Sequence, residues 1–214
     1  MKNIVVLDYG LGNVRSVSNA LRAIGASAEV SHDEATILRA DGLIIPGVGA
    51  FPHGMANLVE SGLIPVIRKY IESGRPVLGI CLGMQLLFEK GTEFFSTDGL
   101  GLIPGTVSII PILPNEGRLP HIAWTTIRPS EQGRETMFDG FSDKEMRFYF
   151  LHSYAATGVK TENLSATVSY LGHDIVAAVQ NGNVWGTQFH PEKSGPSGLR
   201  VLQNIISSSD GQKL

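Results

Sequence analysis

Pro76-Val77-Leu78-Gly79-Ile80-Cys81-Leu82-Gly83-Met84-Gln85-Leu86-Leu87-Phe88 is the stretch on which the reading of the chain turns. Residues 76–80 form a continuous apolar run of the kind a strand buried on both faces needs, and helical patterning is expected from Leu82 to Phe88. Between the two, G-x-C-x-G sets a thiol where strand turns sharply into helix. That is the pattern of a nucleophile elbow, with sulfur in place of the usual hydroxyl. The glycines allow the turn and a close approach of neighbouring elements. The helix start puts its positive end beside the sulfur, which favours thiolate, and points the Leu82 N–H into the site. Taken alone, the same pattern also suits a buried structural cysteine.

Upstream, the β-loop-α theme recurs. Ile4 to Leu7 is an apolar run followed by a Gly-rich turn and by Val14, Val17, Leu21 and Ile24 at helical spacing. Ala28 to Ser31 reads as a strand, Asp33 to Arg39 as a short helix, and Leu43-Ile44-Ile45 as a second buried strand closed by Pro46-Gly47. Helical patterning resumes from Met55 and again over Leu63 to Ile71, where Pro65 fits a first turn. Such alternation implies an α/β fold with a mostly parallel central sheet flanked by helices. Downstream the character changes to short strand-like runs: Val107 to Ile110, Thr125 to Arg128, Met146 to Phe150, Ser165 to Tyr170, Ile175 to Val179 and Val184 to Phe189. Asn181-Gly182 between the last two signals a hairpin, so an additional antiparallel region is expected in the second half. Leu199, Leu202, Ile205 and Ile206 suggest a closing helix before the polar tail Ser207 to Leu214, and residues 1–214 read as one domain.

Composition narrows the function. With 214 residues, 43% hydrophobic and 17% charged, the chain can bury a sizeable core. A net charge of -3 and no long run of like charges leave nothing to draw it to phosphate backbones or anionic lipid, so neither nucleic acid nor membrane is an expected partner. The lone cysteine excludes an intrachain disulfide and a CxxC zinc site. Together with an N-terminal apolar run too short for a signal segment, this points to the cytoplasm.

A thiolate attacking a carboxamide needs a proton shuttle. Of the six histidines, His190 stands out, at the end of the run Val184 to Phe189 and before Pro191-Glu192. Pro191 is expected to hold the segment extended, where residues two apart share a side, so Glu192 can fix the His190 tautomer while His190 addresses Cys81. His32, His53 and His173 sit in turn-like polar settings and read as solvated. No metal is expected: His190-Pro191-Glu192 matches half of a zinc deaminase signature, but the P-C-x-x-C half needs two cysteines. Gly10-Leu11-Gly12 begins like a dinucleotide fingerprint, yet Arg15 stands at the third glycine, so no nicotinamide cofactor is expected either. Pro46-Gly47-Val48-Gly49-Ala50-Phe51 follows a buried strand and can offer backbone N–H groups to a developing oxyanion, or be an ordinary turn.

Taken together, these motifs resemble those of class I (triad-type) glutamine amidotransferases. The matching segments are Asp8 to Asn13, Pro46 to Phe51, Gly79 to Leu87, Phe150 to Tyr154 and Gly186 to Ser194, which span almost the whole chain. The resemblance implies that Cys81 attacks the carboxamide of L-glutamine, that His190 moves the protons and that Glu192 orients His190. It implies an oxyanion hole of Val48 and Leu82 N–H groups, and substrate contacts from Gly49, Gln85, Ser153 and Tyr154. It also implies a partner that consumes the ammonia: a (β/α)8-barrel cyclase or synthase subunit acting on a phosphorylated ribosyl-imidazole precursor and forming a heterodimer. Asn13, Ser16, Pro120, Trp124, Lys193 and Ser194 would then face that partner. The sequence departs from the family at His121-Ile122-Ala123-Trp124-Thr125 and at Ala155, both expected near the partner-facing side. A glutaminase serving an amidotransferase of surface sugars, a thiol hydrolase and a non-catalytic scaffold stay open as alternatives.

Overall fold

The apolar run Ile4 to Leu7 lies in β1 (Asn3–Leu7), where those four residues are fully buried, and β1 forms parallel ladders with β2 (Ser27–Ser31) and β3 (Gly42–Ile45). The computed structural model describes residues 1–113, 115 and 117–208; the tail beyond Ser208 lies outside them. α1 (Val14–Ala23) follows β1, its Asn13 side chain accepting from the Ser16 N–H as an N-cap. α2 (Glu34–Arg39) is capped in the same way by Asp33. α3 (Phe51–Glu60) and α4 (Leu63–Ile71) precede β4 (Val77–Ile80), which pairs parallel with β3. α3 starts four residues before the periodicity suggested, because Pro52 suits a first helical turn and Phe51 is buried there.

α5 (Leu82–Leu86) is shorter than the helical patterning implied. It ends where the Leu87 N–H bonds back to the Met84 carbonyl, and Phe88 leaves to begin β5 (Phe88–Gly91). All residues from Leu82 to Phe88 are buried, so hydrophobicity carries no sign of the change. β5, β6 (Thr97–Asp98), β7 (Ile103–Ile109) and β10 (Tyr154–Thr157) make a separate four-stranded sheet in the order β10-β7-β5-β6. The large sheet continues from β4 to β13 (Val184–Thr187), then through β12 (His173–Asn181), β11 (Leu164–Tyr170) and β8 (His121–Pro129) to β9 (Arg147–His152). Pairing is parallel from β2 to β13 and antiparallel beyond, as the change in sequence character suggested. Gly182, at φ 57°, turns the β12–β13 hairpin. α6 (Glu131–Glu135) is a short connection, and α7 (Gly195–Ser207) packs Val201, Leu202 and Ile205 into the core.

β4 and β13 are parallel neighbours, with Ile80 opposite Thr187, so the residues following their C-terminal ends emerge side by side. Cys81 follows one and His190 the other. Behind them an aromatic cluster of Phe138, Phe148, Phe150 and Phe189, with Phe148 and Phe189 stacked at 4.2 Å, holds the strand ends in place. Among the described residues no helix is long and apolar enough to cross a membrane.

Candidate active site

Cys81 sits at φ 54° between β4 and α5, a left-handed conformation unfavourable for a side-chain-bearing residue. The surroundings impose it. The Cys81 N–H donates to the Thr187 carbonyl at 2.7 Å, and the Cys81 carbonyl accepts from Gln85 N–H at 3.1 Å. A Cβ on Gly83 would land on the Ile45 carbonyl, and one on Gly79 would lie 2.6 Å from the Gly83 carbonyl oxygen. Both glycines of the elbow are therefore required by backbone crossings, and the thiol is 6% exposed at their centre.

His190 is buried, and its Nδ1 lies 2.8 Å from Glu192 Oε1, with both side chains only 2% exposed. The carboxylate can only accept, so Nδ1 carries the proton and Nε2 is left toward the Cys81 sulfur; it has no hydrogen-bond partner of ordinary length among the described residues. Burial alone would lower the His190 pKa, but Cys81 and Glu192, through hydrogen bonding and charge, carry it well above the usual histidine value. The route to this pairing differs from the extended segment expected. Residues Pro191–Lys193 form a 3₁₀ turn, closed by Lys193 N–H to the His190 carbonyl at 3.1 Å and by Ser194 Oγ to the same carbonyl at 2.7 Å. The turn brings Glu192 back beside the ring.

Leu82 N–H is already engaged, donating to the Gly47 carbonyl at 3.3 Å. The neighbouring loop is held by Tyr9, whose hydroxyl donates to the Pro46 carbonyl at 2.6 Å; burial and the nearby Cys81 raise the Tyr9 pKa, keeping it a donor. A Cβ on Gly47 would meet Tyr9 Oη at 2.7 Å and the Leu82 Cβ at 2.9 Å. Val48 and Gly49 beyond it are exposed.

A cavity of about 260 Å³ opens over the sulfur, lined by Val48, Gly49, Cys81, Leu82, Gln85, Glu93, Pro120 and the segment Leu151 to Tyr154. It thus gathers Gly49, Gln85, Ser153 and Tyr154, the residues the sequence singled out for substrate. A larger cavity, about 400 Å³, lies around Pro76 and Trp185 at the opposite end of β4 and β13, away from the thiol. Gln85 Nε2 donates to the Tyr154 carbonyl and to Gln188 Oε1, both at 3.0 Å, which uses both its hydrogens and leaves Oε1 as an acceptor. Gln188 in turn donates to Cys81 Sγ at 3.7 Å. Gln188 and Glu93 were not picked out in the sequence. The first lay inside a quoted motif without a role, and the second sits in a loop with no periodicity to mark it. Glu93 is tied down by accepting from the Phe51 N–H at 2.8 Å.

Trp124 and Lys193 are exposed and share Tyr149, whose ring lies 6.1 Å from that of Trp124, 5.8 Å from Lys193 Nζ and 6.4 Å from that of His190. Asn13 and Pro120 are exposed and Ser16 half-buried. Ser194 is not a surface residue: it is 1% exposed, its Oγ closing the turn at His190 and accepting from Tyr149 N–H. Ala155 is likewise buried, in β10, rather than partner-facing. Among the described residues no group of three His, Cys, Asp or Glu side chains could hold a metal ion.

A nucleophile elbow on a mostly parallel sheet thus stands beside a buried His–Glu pair on the adjacent strand end, under an open cavity. The family described as glutamine amidotransferase class-I matches residues 5–208, and the chain belongs to that family. Within it, the chain is similar over nearly its whole length to proteins named imidazole glycerol phosphate synthase subunit HisH. That of Thermobifida fusca is 45% identical over 96% of this chain and 98% of its own. That of Symbiobacterium thermophilum is 47% identical over 95% and 93%. That of Methanosarcina barkeri is 46% identical over 96% and 98%. The fold is shared with the structure of PurLQS from Thermotoga maritima, at a TM-score of 0.73 and 23% identity over 97% of this chain and 99% of that one.

Proposed function

We propose that the chain is the glutamine amidotransferase subunit of an imidazole glycerol phosphate synthase, supplying ammonia for histidine biosynthesis. The observation that carries the chemistry is the buried His190–Glu192 contact at 2.8 Å, with the free nitrogen of the ring left to Cys81. Cys81 passes its thiol proton to His190 Nε2 and the thiolate adds to the glutamine carboxamide carbon. The imidazolium gives that proton to the nitrogen that leaves as ammonia, and the neutral ring then takes a proton from the water that hydrolyses the thioester, returning it to the sulfur as glutamate departs. Glu192 keeps the ring in the Nδ1–H tautomer. The acceptor oxygen of Gln85 receives a substrate N–H, the Glu93 carboxylate faces the α-ammonium, and backbone groups of Gly49, Ser153 and Tyr154 complete the cradle.

In this reading the structure is the resting form. Leu82 N–H is occupied by the Gly47 carbonyl, so the oxyanion is left without its donors until the Gly47–Val48 peptide turns over. That one rotation frees Leu82 N–H and presents Val48 N–H, and each donor is worth about 10²–10³ in rate. Ammonia released to water becomes ammonium and loses its nucleophilicity, so the partner must take it directly. A (β/α)8-barrel cyclase bound as a heterodimer across Asn13, Ser16, Pro120, Trp124 and Lys193 fits this requirement. The test is glutamate release by the chain with its synthase and acceptor ligand, compared with Cys81→Ala. Turnover lost in the variant is expected; turnover retained would exclude the mechanism.

A further inference from the structure

A line of hydrogen bonds that the reaction above does not use runs between β8 and the nucleophile. His121 and His152 face each other across the β8–β9 ladder, both almost completely buried. His152 Nδ1 lies 2.8 Å from the Tyr154 carbonyl, His121 Nδ1 lies 3.2 Å from His152 Nε2, and His121 Nε2 lies 3.0 Å from Thr125 Oγ1. A carbonyl only accepts, so His152 carries its proton on Nδ1 and accepts at Nε2. His121 must then carry its own on Nδ1, and the Thr125 hydroxyl donates to its Nε2. The direction of every bond follows from the first. The His121 ring is also stacked between Tyr170, at 4.1 Å, and Phe150, at 5.0 Å, which leaves it no room to turn over.

We propose that His121 and His152 are positioning residues for glutamine hydrolysis: a directional imidazole pair that fixes the Tyr154 carbonyl and, through Gln85 and Gln188, the cysteine nucleophile. The inference rests on the glutaminase reading of the site. Tyr154 O is the junction, receiving His152 Nδ1–H from one side and Gln85 Nε2–H from the other. Gln85 passes the constraint to Gln188, and Gln188 to the sulfur. Were the pair absent, Tyr154 O would keep the Gln85 donor alone, and a carbonyl no longer held from its other side would fix the Gln85 carboxamide, and the oxygen it shows to the cavity, less firmly.

The arrangement requires His152 to be neutral, since a proton on its Nε2 would oppose the His121 Nδ1–H; a second proton on His121 would reverse the Thr125 bond and place a cation in the aromatic stack. The surroundings favour this. Burial lowers both histidines to a pKa of about 4. The titratable groups around the pair are His190 at the end of β13, which disfavours a second cation, the stacked Tyr170 of β11, and Cys81 and Glu93 across the cavity.

The test uses the full chain with its synthase. Long-range nitrogen-proton NMR of the histidine rings should find His121 and His152 both as neutral Nδ1–H tautomers at pH 7. His152→Gln can donate to Tyr154 and accept from His121, so it should keep kcat/KM for glutamine within about threefold. His152→Leu, which fills the space without hydrogen bonds, should lose about tenfold or more, with KM raised. Should the leucine variant fail to fold, Thr125→Val removes the donor to His121 Nε2 at the far end; the proton should stay on His121 Nδ1 while the Nε2 resonance moves to that of an unbonded ring nitrogen, and kcat/KM should fall. Nε2–H or charged rings at pH 7, or equal activities for the glutamine and leucine variants, would overturn the inference. No turnover by the wild type would instead count against the glutaminase reading, because the tautomer measurement does not depend on it.

Discussion

Val48→Gly alters the residue whose φ must change when the Gly47–Val48 peptide turns over. Such a rotation changes ψ of Gly47 and φ of Val48 together. Val48 is not among the residues at positive φ in the resting structure, so a large rotation carries it there. For a β-branched residue that region costs about 1–3 kcal/mol, and glycine escapes the cost. At about 1.4 kcal/mol per decade, the variant should populate the open loop about 5- to 150-fold more than the wild type. Val48 is 41% exposed, so little packing is lost in exchange. Glutamate release by the isolated chain at saturating glutamine should rise by a comparable factor, and activation by the ligand-loaded synthase should shrink by the same factor. An isolated Val48→Gly chain no faster than wild type, while its ligand-loaded complex keeps full turnover, would refute the peptide-turn argument.

Two further outcomes follow from packing and burial. Gly83→Ala should destabilise the chain by about 1–3 kcal/mol or more, since its Cβ meets the fixed Ile45 carbonyl; an unchanged urea midpoint would contradict this. Burial lowers the pKa of His121 and His152 from 6.5 to about 4, so below 6.5 the unfolded chain takes up protons that the folded chain refuses. Stability should therefore fall as pH drops from about 6.5 to 4, by at most about 1.4 kcal/mol per pH unit for each ring. The raised pKa of His190 acts in the other direction and only above 6.5, where its contribution is lost as pH rises through the folded value. A flat stability profile between pH 4 and 6.5 would contradict the burial of the pair.

The parallel half of the fold was legible because strands buried on both faces, such as Ile4 to Leu7 and Leu43 to Ile45, read as unbroken apolar runs bounded by turns. The same burial hid the end of α5, where Leu82 to Phe88 is apolar whether helical or extended. The small sheet was mostly missed: β6 is two residues long, and β5 carries exposed Glu89 and Lys90 between its buried ends. Cys81, His190 and Glu192 were visible as residue types at telling places, but the turn that joins the last two was not, because it depends on Ser194, a residue that reads as surface. Glu93 reached the cavity through a loop contact to Phe51, which only the folded chain reveals.

The central claim is covalent, and the most direct measurement is of the covalent intermediate. With the synthase and its acceptor ligand present, glutamine turnover is quenched in acid within the first turnovers and the chain is mapped by mass. A γ-glutamyl thioester on the peptide carrying Cys81, absent in Cys81→Ala, is the predicted result. Glutamate formed at the normal rate with no acyl group on Cys81 would contradict it.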